Sequence, residues 1–148
     1  PFRNIFAEFS IEPVVYGVRM KPGKPFFFGY FKNKPLFALP GNVVSTSVTF
    51  ELFVRTFLRI AQNLMPHRLK LNLPLSQPSF NDSGRDFFER GKIVTVNGEP
   101  MVEPLKLQES HMLSSFAETD LIYLHRCENP KLEIGTRVEC TMLRNESR

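Results

Sequence analysis

Cysteine is scarce in this sequence of 148 residues, which has only Cys127 and Cys140. The two lack CxxC spacing and have no pair of histidines nearby. This argues against a zinc site and points to two buried free thiols in a reducing cytosol. Long apolar runs are also missing. None approaches the roughly 20 residues needed to span a bilayer, and no signal peptide is visible, so no membrane contact is expected. The GxxxxGK[ST] spacing of a phosphate-binding P-loop does not occur. Internal repeats and low-complexity stretches are absent. Charge of one sign is in modest excess, with a net charge of +4 and an isoelectric point near 9.3. That attracts anionic ligands but falls short of a nucleic-acid footprint. The first residue is Pro1 rather than Met, so the sequence is expected to begin inside a longer one.

Hydrophobic residues make up 42%, enough for a packed core, and the length suits one ordinary domain or two small ones. Ile11 to Met20 is rich in β-formers and reads as a strand. Lys21-Pro22-Gly23-Lys24-Pro25 breaks it. Phe26 to Tyr30 is a second strand, and Asn33-Lys34-Pro35 a turn. Leu36 to Leu39 is a short continuous apolar run, as in a strand buried on both faces. A helix follows Pro40-Gly41-Asn42. Its apolar stripe is Val48, Leu52, Phe53, Thr56, Phe57 and Ile60, with Glu51, Arg55, Arg59 and Gln62 opposite. Asn42 or Ser45 can cap it, and Pro66 ends it near Asn63.

After residue 66 the period changes from helical to two. Arg68 to Leu73, Phe87 to Val96, Met101 to Pro104, Leu121 to Leu124 and Arg137 to Leu143 read as strands, with a hairpin at Asn97-Gly98. Only His111 to Ala117 could form a helical turn. The expected fold class is α/β plus all-β. Residues 1–66 form the C-terminal part of a three-layer α/β domain, and residues 67–148 a small β-barrel or sandwich. One helix with two or three strands leaves the α/β part incomplete.

Three places could carry chemistry. Gly41, Asn42 and Ser45 lie where a strand turns into a helix N-terminus, which favours anions, although a plain capped helix fits equally well. Lys21 and Lys24 sit on a rigid loop at a strand end, where ligands of open sheets bind, although an exposed basic turn fits too. Arg85 and Arg90 open one strand, and Gln108 to His111 begin the helical turn. Glu89 can pair with Arg90, and Glu109 with His111. His67 and His125 have no partner cluster and read as structural or exposed.

MKPGKPFFFG, then LPGNVVS, then TFELFVRTFLR occur in this order, followed by RDFFERG, QESHMLSSFAETDLIYL and IGTRVECTML. From about Ile11 to Leu143 the chain resembles the C-terminal half of the molybdopterin molybdenumtransferase family, which includes bacterial molybdenum-insertion proteins and the gephyrin E domain. The resemblance implies insertion of molybdate into adenylylated molybdopterin. It also implies that Lys21, Pro22 and Ser45 line the pterin and oxyanion pocket, with Lys24 as a further contact. Gly41 and Asn42 would form the turn on the phosphate side. Arg90 and Ser110 would contact molybdate, and Lys21, Arg90 and Ser110 would be the catalytic set. No metal ligand falls in this chain, because the family's acidic magnesium ligands lie upstream. A homodimer in the cytoplasm, working with other molybdenum cofactor biosynthesis proteins, is implied for the complete protein. The chain alone is not expected to be a competent enzyme. A non-catalytic scaffold of the gephyrin type is the alternative. Three places depart from the family pattern, one being that the basic residue usual a few positions before the KPGKP motif is missing near Gly17 and Val18, with Arg19 the nearby cation. Val43 stands where Pro is usual, and Glu109 stands where the family has Gly.

Overall fold

The computed structural model describes residue 6 and residues 8–66, 68–105 and 118–143. The first part is a three-stranded antiparallel sheet. It contains β1 (Glu12–Tyr16), β3 (Phe27–Phe31) and β4 (Lys34–Ala38), in the order β1-β3-β4. The expected strand over Ile11 to Met20 is therefore cut short. Gly17 takes a φ of 79° and its N–H turns back to the Phe26 carbonyl at 2.8 Å. The remainder re-enters as β2 (Met20–Lys21) in a different sheet.

β4 corrects the expectation of a strand buried on both faces. Lys34 and Pro35 are exposed, and Leu36, Phe37 and Ala38 are half-buried. The run Leu-Phe-Ala is apolar because one face meets aromatic side chains. Phe37 stacks on Phe28 at 4.8 Å and meets Phe57 edge-on at 5.3 Å.

One long helical segment follows. It comprises α1 (Val43–Thr49), a π-helical stretch at Phe50–Val54, and α2 (Arg55–Ala61). The Ser45 amide donates to the Asn42 side chain at 3.1 Å, so Asn42 is the N-cap. Phe53 and Phe57 pack against Phe26 and Phe37 of the small sheet. Val48 and Leu52 pack the other way, against Met20, Ile122 and Phe88. The helix is thus clamped between two sheets. This corrects the single-stripe picture, since the Glu51 side chain is only 16% exposed and pairs with Arg68 at 3.1 Å.

The second part is a six-stranded sheet in the order β2-β7-β9-β11-β5, with β8 on the free side of β7. Its strands are β5 (Lys70–Pro74), β7 (Asp86–Val96), β8 (Glu99–Pro104), β9 (Leu121–His125) and β11 (Arg137–Met142). β6 (Ser79–Phe80) and β10 (Lys131–Leu132) form a separate ribbon. Asn97 and Gly98 both take positive φ, 52° and 84°, which is the tight hairpin geometry that joins β7 to β8.

β7 pairs with β9 through Phe87–Gly91 and with β8 through Gly91–Val96, so Gly91 serves both. A Cβ there would lie 2.7 Å from Val102 Cγ1, which is why the crossing takes glycine. Leu75, Val102, Leu121, Tyr123, Val138 and Cys140 fill one side of this sheet. β5 and β8 meet through one bridge, Leu75–Val102, and a 2.8 Å bond from the Ser76 amide to the Val102 carbonyl. Among the described residues the sheet is curled but not laddered into a closed barrel.

β2 ties the two parts together. It pairs in parallel with the start of β7, Met20 opposite Asp86 and Lys21 opposite Phe87.

Candidate functional site

The β2–β7 pairing decides which side chains can meet. It brings Lys21 beside the strand that carries Arg90, while Val48 and Leu52 seat the helix on the same sheet. The N-terminus of α1 then faces the gap. The result is a cavity of about 300 Å³. Its polar lining is Lys21, Asn42, Ser45, Glu89 and Arg90. Pro22, Val44, Phe87, Phe88 and Leu105 form the apolar remainder.

Each polar group is held from behind. Lys21 Nζ stands 4.7 Å from the centroid of the Phe87 ring. The Lys21–Pro22 peptide is cis. The Ser45 hydroxyl donates to Asn42 Oδ1 at 3.4 Å. Arg90 is only 6% exposed, and burial lowers its guanidinium pKa from the ordinary value. A desolvated cation of this kind gains when an anion lies beside it.

Glu89 does not supply that anion through its side chain in the manner the sequence suggested. Its carboxylate accepts from Ser79 Oγ, and the same oxygen lies 2.8 Å from His125 Nδ1. His125 is fully buried and its Nε2 donates to the Asn129 carbonyl at 2.6 Å. The expectation that Glu89 pairs with Arg90 and that His125 lacks partners is corrected. Successive strand residues point to opposite faces, so Glu89 and Arg90 diverge. Ser79 and Glu89 both meet Nδ1 while Nε2 is tied to the Asn129 carbonyl, so serine and carboxylate do not take opposite ring nitrogens as a triad requires. This is a structural network, unlike a nucleophilic triad. Burial with a carboxylate beside it pushes the neighbouring Tyr123 phenol above its ordinary range.

Of the residues singled out in the sequence, Lys21, Pro22, Asn42, Ser45 and Arg90 line this one cavity. Gly41 lines a second one of about 330 Å³ instead, with Tyr16, Phe26, Phe27 and Leu39. It is exposed, and a Cβ there would meet nothing within 4 Å, so no close approach requires the glycine. Lys24 is exposed and lines neither cavity. Ser110, with Gln108, Glu109, His111 and the expected helical turn, lies outside the described residues, as does His67. Sequence reasoning missed Phe87 and Leu105. Phe87 was legible only as one of many phenylalanines.

A divalent cation finds poor ligands here. Among the described residues, Asp86, Cys127 and Glu128 are the group whose ligand atoms fall within 4.8 Å of one another. A thiol is a poor partner for magnesium, and Asp86 already accepts from the Cys127 amide at 3.1 Å and Arg126 at 3.4 Å. No helix among the described residues is long and apolar enough to cross a membrane.

Lys21, Arg90 and the Asn42 cap thus line one cleft between the helix and the curled sheet. Residues 72–143 match the family described as the MoeA C-terminal region, domain IV. A molybdopterin biosynthesis protein of Methanocaldococcus jannaschii is 36% identical over 109 residues, covering 74% of this chain and 24% of that protein. A molybdopterin molybdenumtransferase of Synechococcus elongatus is 31% identical over 134 residues, covering 89% of this chain and 32% of that one. The crystal structure of the molybdopterin biosynthesis MoeA protein of Pyrococcus horikoshii superimposes with a TM-score of 0.80 at 27% identity, over 97% of this chain and 34% of that one. The chain belongs to the molybdopterin molybdenumtransferase family. It spans about a quarter to a third of the length of these relatives.

Proposed function

We propose that this chain supplies the oxyanion-holding part of a molybdopterin molybdenumtransferase, which inserts molybdate into adenylylated molybdopterin. One observation carries the proposal. Lys21 from one part of the fold and Arg90 from the other line a single cavity with Asn42 and Ser45. Molybdate is a tetrahedral dianion, so two fixed cations balance its charge and neutral donors can take its remaining oxygens. The apolar wall of Val44, Phe87, Phe88 and Leu105 suits a flat ring beside the anion. Ser110 is assigned as a further molybdate contact, and Lys21, Arg90 and Ser110 as the catalytic set.

The remaining assignments come from family membership. The boundary near residues 66–67 divides the C-terminal part of a three-layer α/β domain from a small β-barrel or sandwich. Magnesium is bound by acidic residues of a preceding segment. The complete protein is a cytoplasmic homodimer, and surfaces such as Val14, Ile60 and Met65, which are 58%, 57% and 76% exposed, are available to be covered by its other parts.

Calorimetric titration of the 148-residue chain with molybdate tests the reading. Arg90→Ala and Ser110→Ala should each weaken binding about tenfold to a hundredfold, the worth of a hydrogen bond to a charged group. Their circular dichroism should stay that of the parent. Unchanged molybdate affinity in both variants would sink the proposal.

A further inference from the structure

We infer that Phe87 is a positioning residue for the Lys21 ammonium. The inference rests on the reading of Lys21 as an anion contact and says how that contact is set.

A lysine on a loop has four rotatable bonds and pays heavily in entropy for any fixed position. Here the backbone is settled first. Lys21 is laddered to Phe87 and Met20 to Asp86. Arg85 Nη1 donates to the Met20 carbonyl at 3.4 Å, and Arg19 Nη2 to the Gly84 carbonyl at 3.3 Å. These cross-ties fix the Lys21 Cα against the start of β7. The side chain is then settled by the ring, with Nζ 4.7 Å from its centroid. Phe87 is itself 6% exposed and held in register opposite His125, so it is a fixed support.

The choice of an aromatic over an acid matters chemically. A carboxylate would hold the ammonium as firmly but would cancel its charge. A π face attracts the cation without taking a proton or presenting a full negative charge. The positive charge of Lys21 is therefore kept for an incoming anion. Phe87 contacts no reacting atom in this account and acts only through Lys21.

The test uses nuclear magnetic resonance and calorimetry on the 148-residue chain, with sodium molybdate as the titrant. The Lys21 Hε protons should resonate upfield of their random-coil position, because they lie over a ring. Phe87→Leu should abolish that shift and weaken molybdate binding about twofold to fivefold, the range for an exposed cation–π contact. Phe87→Tyr keeps the ring and should retain both the shift and the affinity, which a merely space-filling role at position 87 does not predict. Random-coil Lys21 shifts in the parent chain would overturn the inference without any variant. So would wild-type affinity in Phe87→Leu combined with weakened affinity in Lys21→Ala. Unchanged affinity in Lys21→Ala would instead refute the cavity reading itself.

Discussion

Gly23 is the position where a single methyl group should tell most about how the site is built. It follows the Lys21–Pro22 pair, is buried, and takes a φ of 110°. Alanine at such a φ costs about 1–3 kcal/mol in backbone strain. Its Cβ would also overlap Thr49 Cγ2 and touch Met20 Cε at 3.5 Å. Thr49 cannot turn away freely, because it is fully buried and its hydroxyl donates to the Ser45 carbonyl at 2.8 Å and the Thr46 carbonyl at 3.1 Å. Overpacking of this kind adds about 1–3 kcal/mol. Gly23→Ala should therefore destabilise the chain by about 2–6 kcal/mol in urea unfolding. It should also weaken molybdate binding, because relief requires the Lys21–Pro22 loop to move away from α1. Thr49→Ser removes Cγ2 and keeps the hydroxyl. Combined with Gly23→Ala it should recover the steric part, a coupling of about 1–3 kcal/mol, and leave the backbone part. A loss below about 1 kcal/mol in Gly23→Ala, or additive behaviour of the two changes, would refute the packing described here.

Two further outcomes follow from the buried groups of the β part. Burial pushes the Cys140 thiol up to about 11 from its ordinary 9.0, and Tyr123 shifts the same way. A folded pKa above the unfolded one gives stability that is complete below the unfolded value and is lost as pH climbs towards the folded one. Stability should thus fall by about 1 kcal/mol per pH unit between pH 9 and 11, with a smaller slope in Cys140→Ala. A urea midpoint that does not move from pH 8.5 to 10.5 would contradict this. Glu89→Ala leaves His125 and Ser79 buried without their shared carboxylate partner, and should cost about 1–3 kcal/mol in the same assay. A cost under about 1 kcal/mol would mean that the network contributes little to stability.

Local pattern carried much of this fold and little of its closure. The Asn97-Gly98 hairpin, the Asn42 cap and the long strand after Arg85 each depend on neighbours in sequence, so their residue types announce them. β2 has two residues and pairs with residues 66 positions further on, and no periodicity marks such a pairing. The Glu89–His125 contact joins two strands, so each residue looked ordinary alone. Leu36 to Leu39 misled because an apolar run reads the same whether sheets or aromatic rings cover it. The site was legible as a set of residue types, Lys21, Asn42, Ser45 and Arg90. What the sequence left open was which of them share a cavity, and Gly41 and Lys24 did not. The helical segment was legible in length, but its π-helical stretch and its two packed faces were not, because the sequence pattern assumed one core.

The parallel splice of Met20 and Lys21 onto Asp86 and Phe87 has a topological consequence. Everything between Lys21 and Asp86 is a loop pinned at its base, and that loop contains two strands of the small sheet (β3 and β4), the helix, the connection from Gln62 to Leu69, and β5 and β6. The base of the loop is the floor of the cavity. The exposed connection near Leu64 and Met65 can therefore lengthen at small entropic cost while Lys21 stays paired with Phe87. Spacing between the halves of the chain is free to drift over evolution, while the site stays in register.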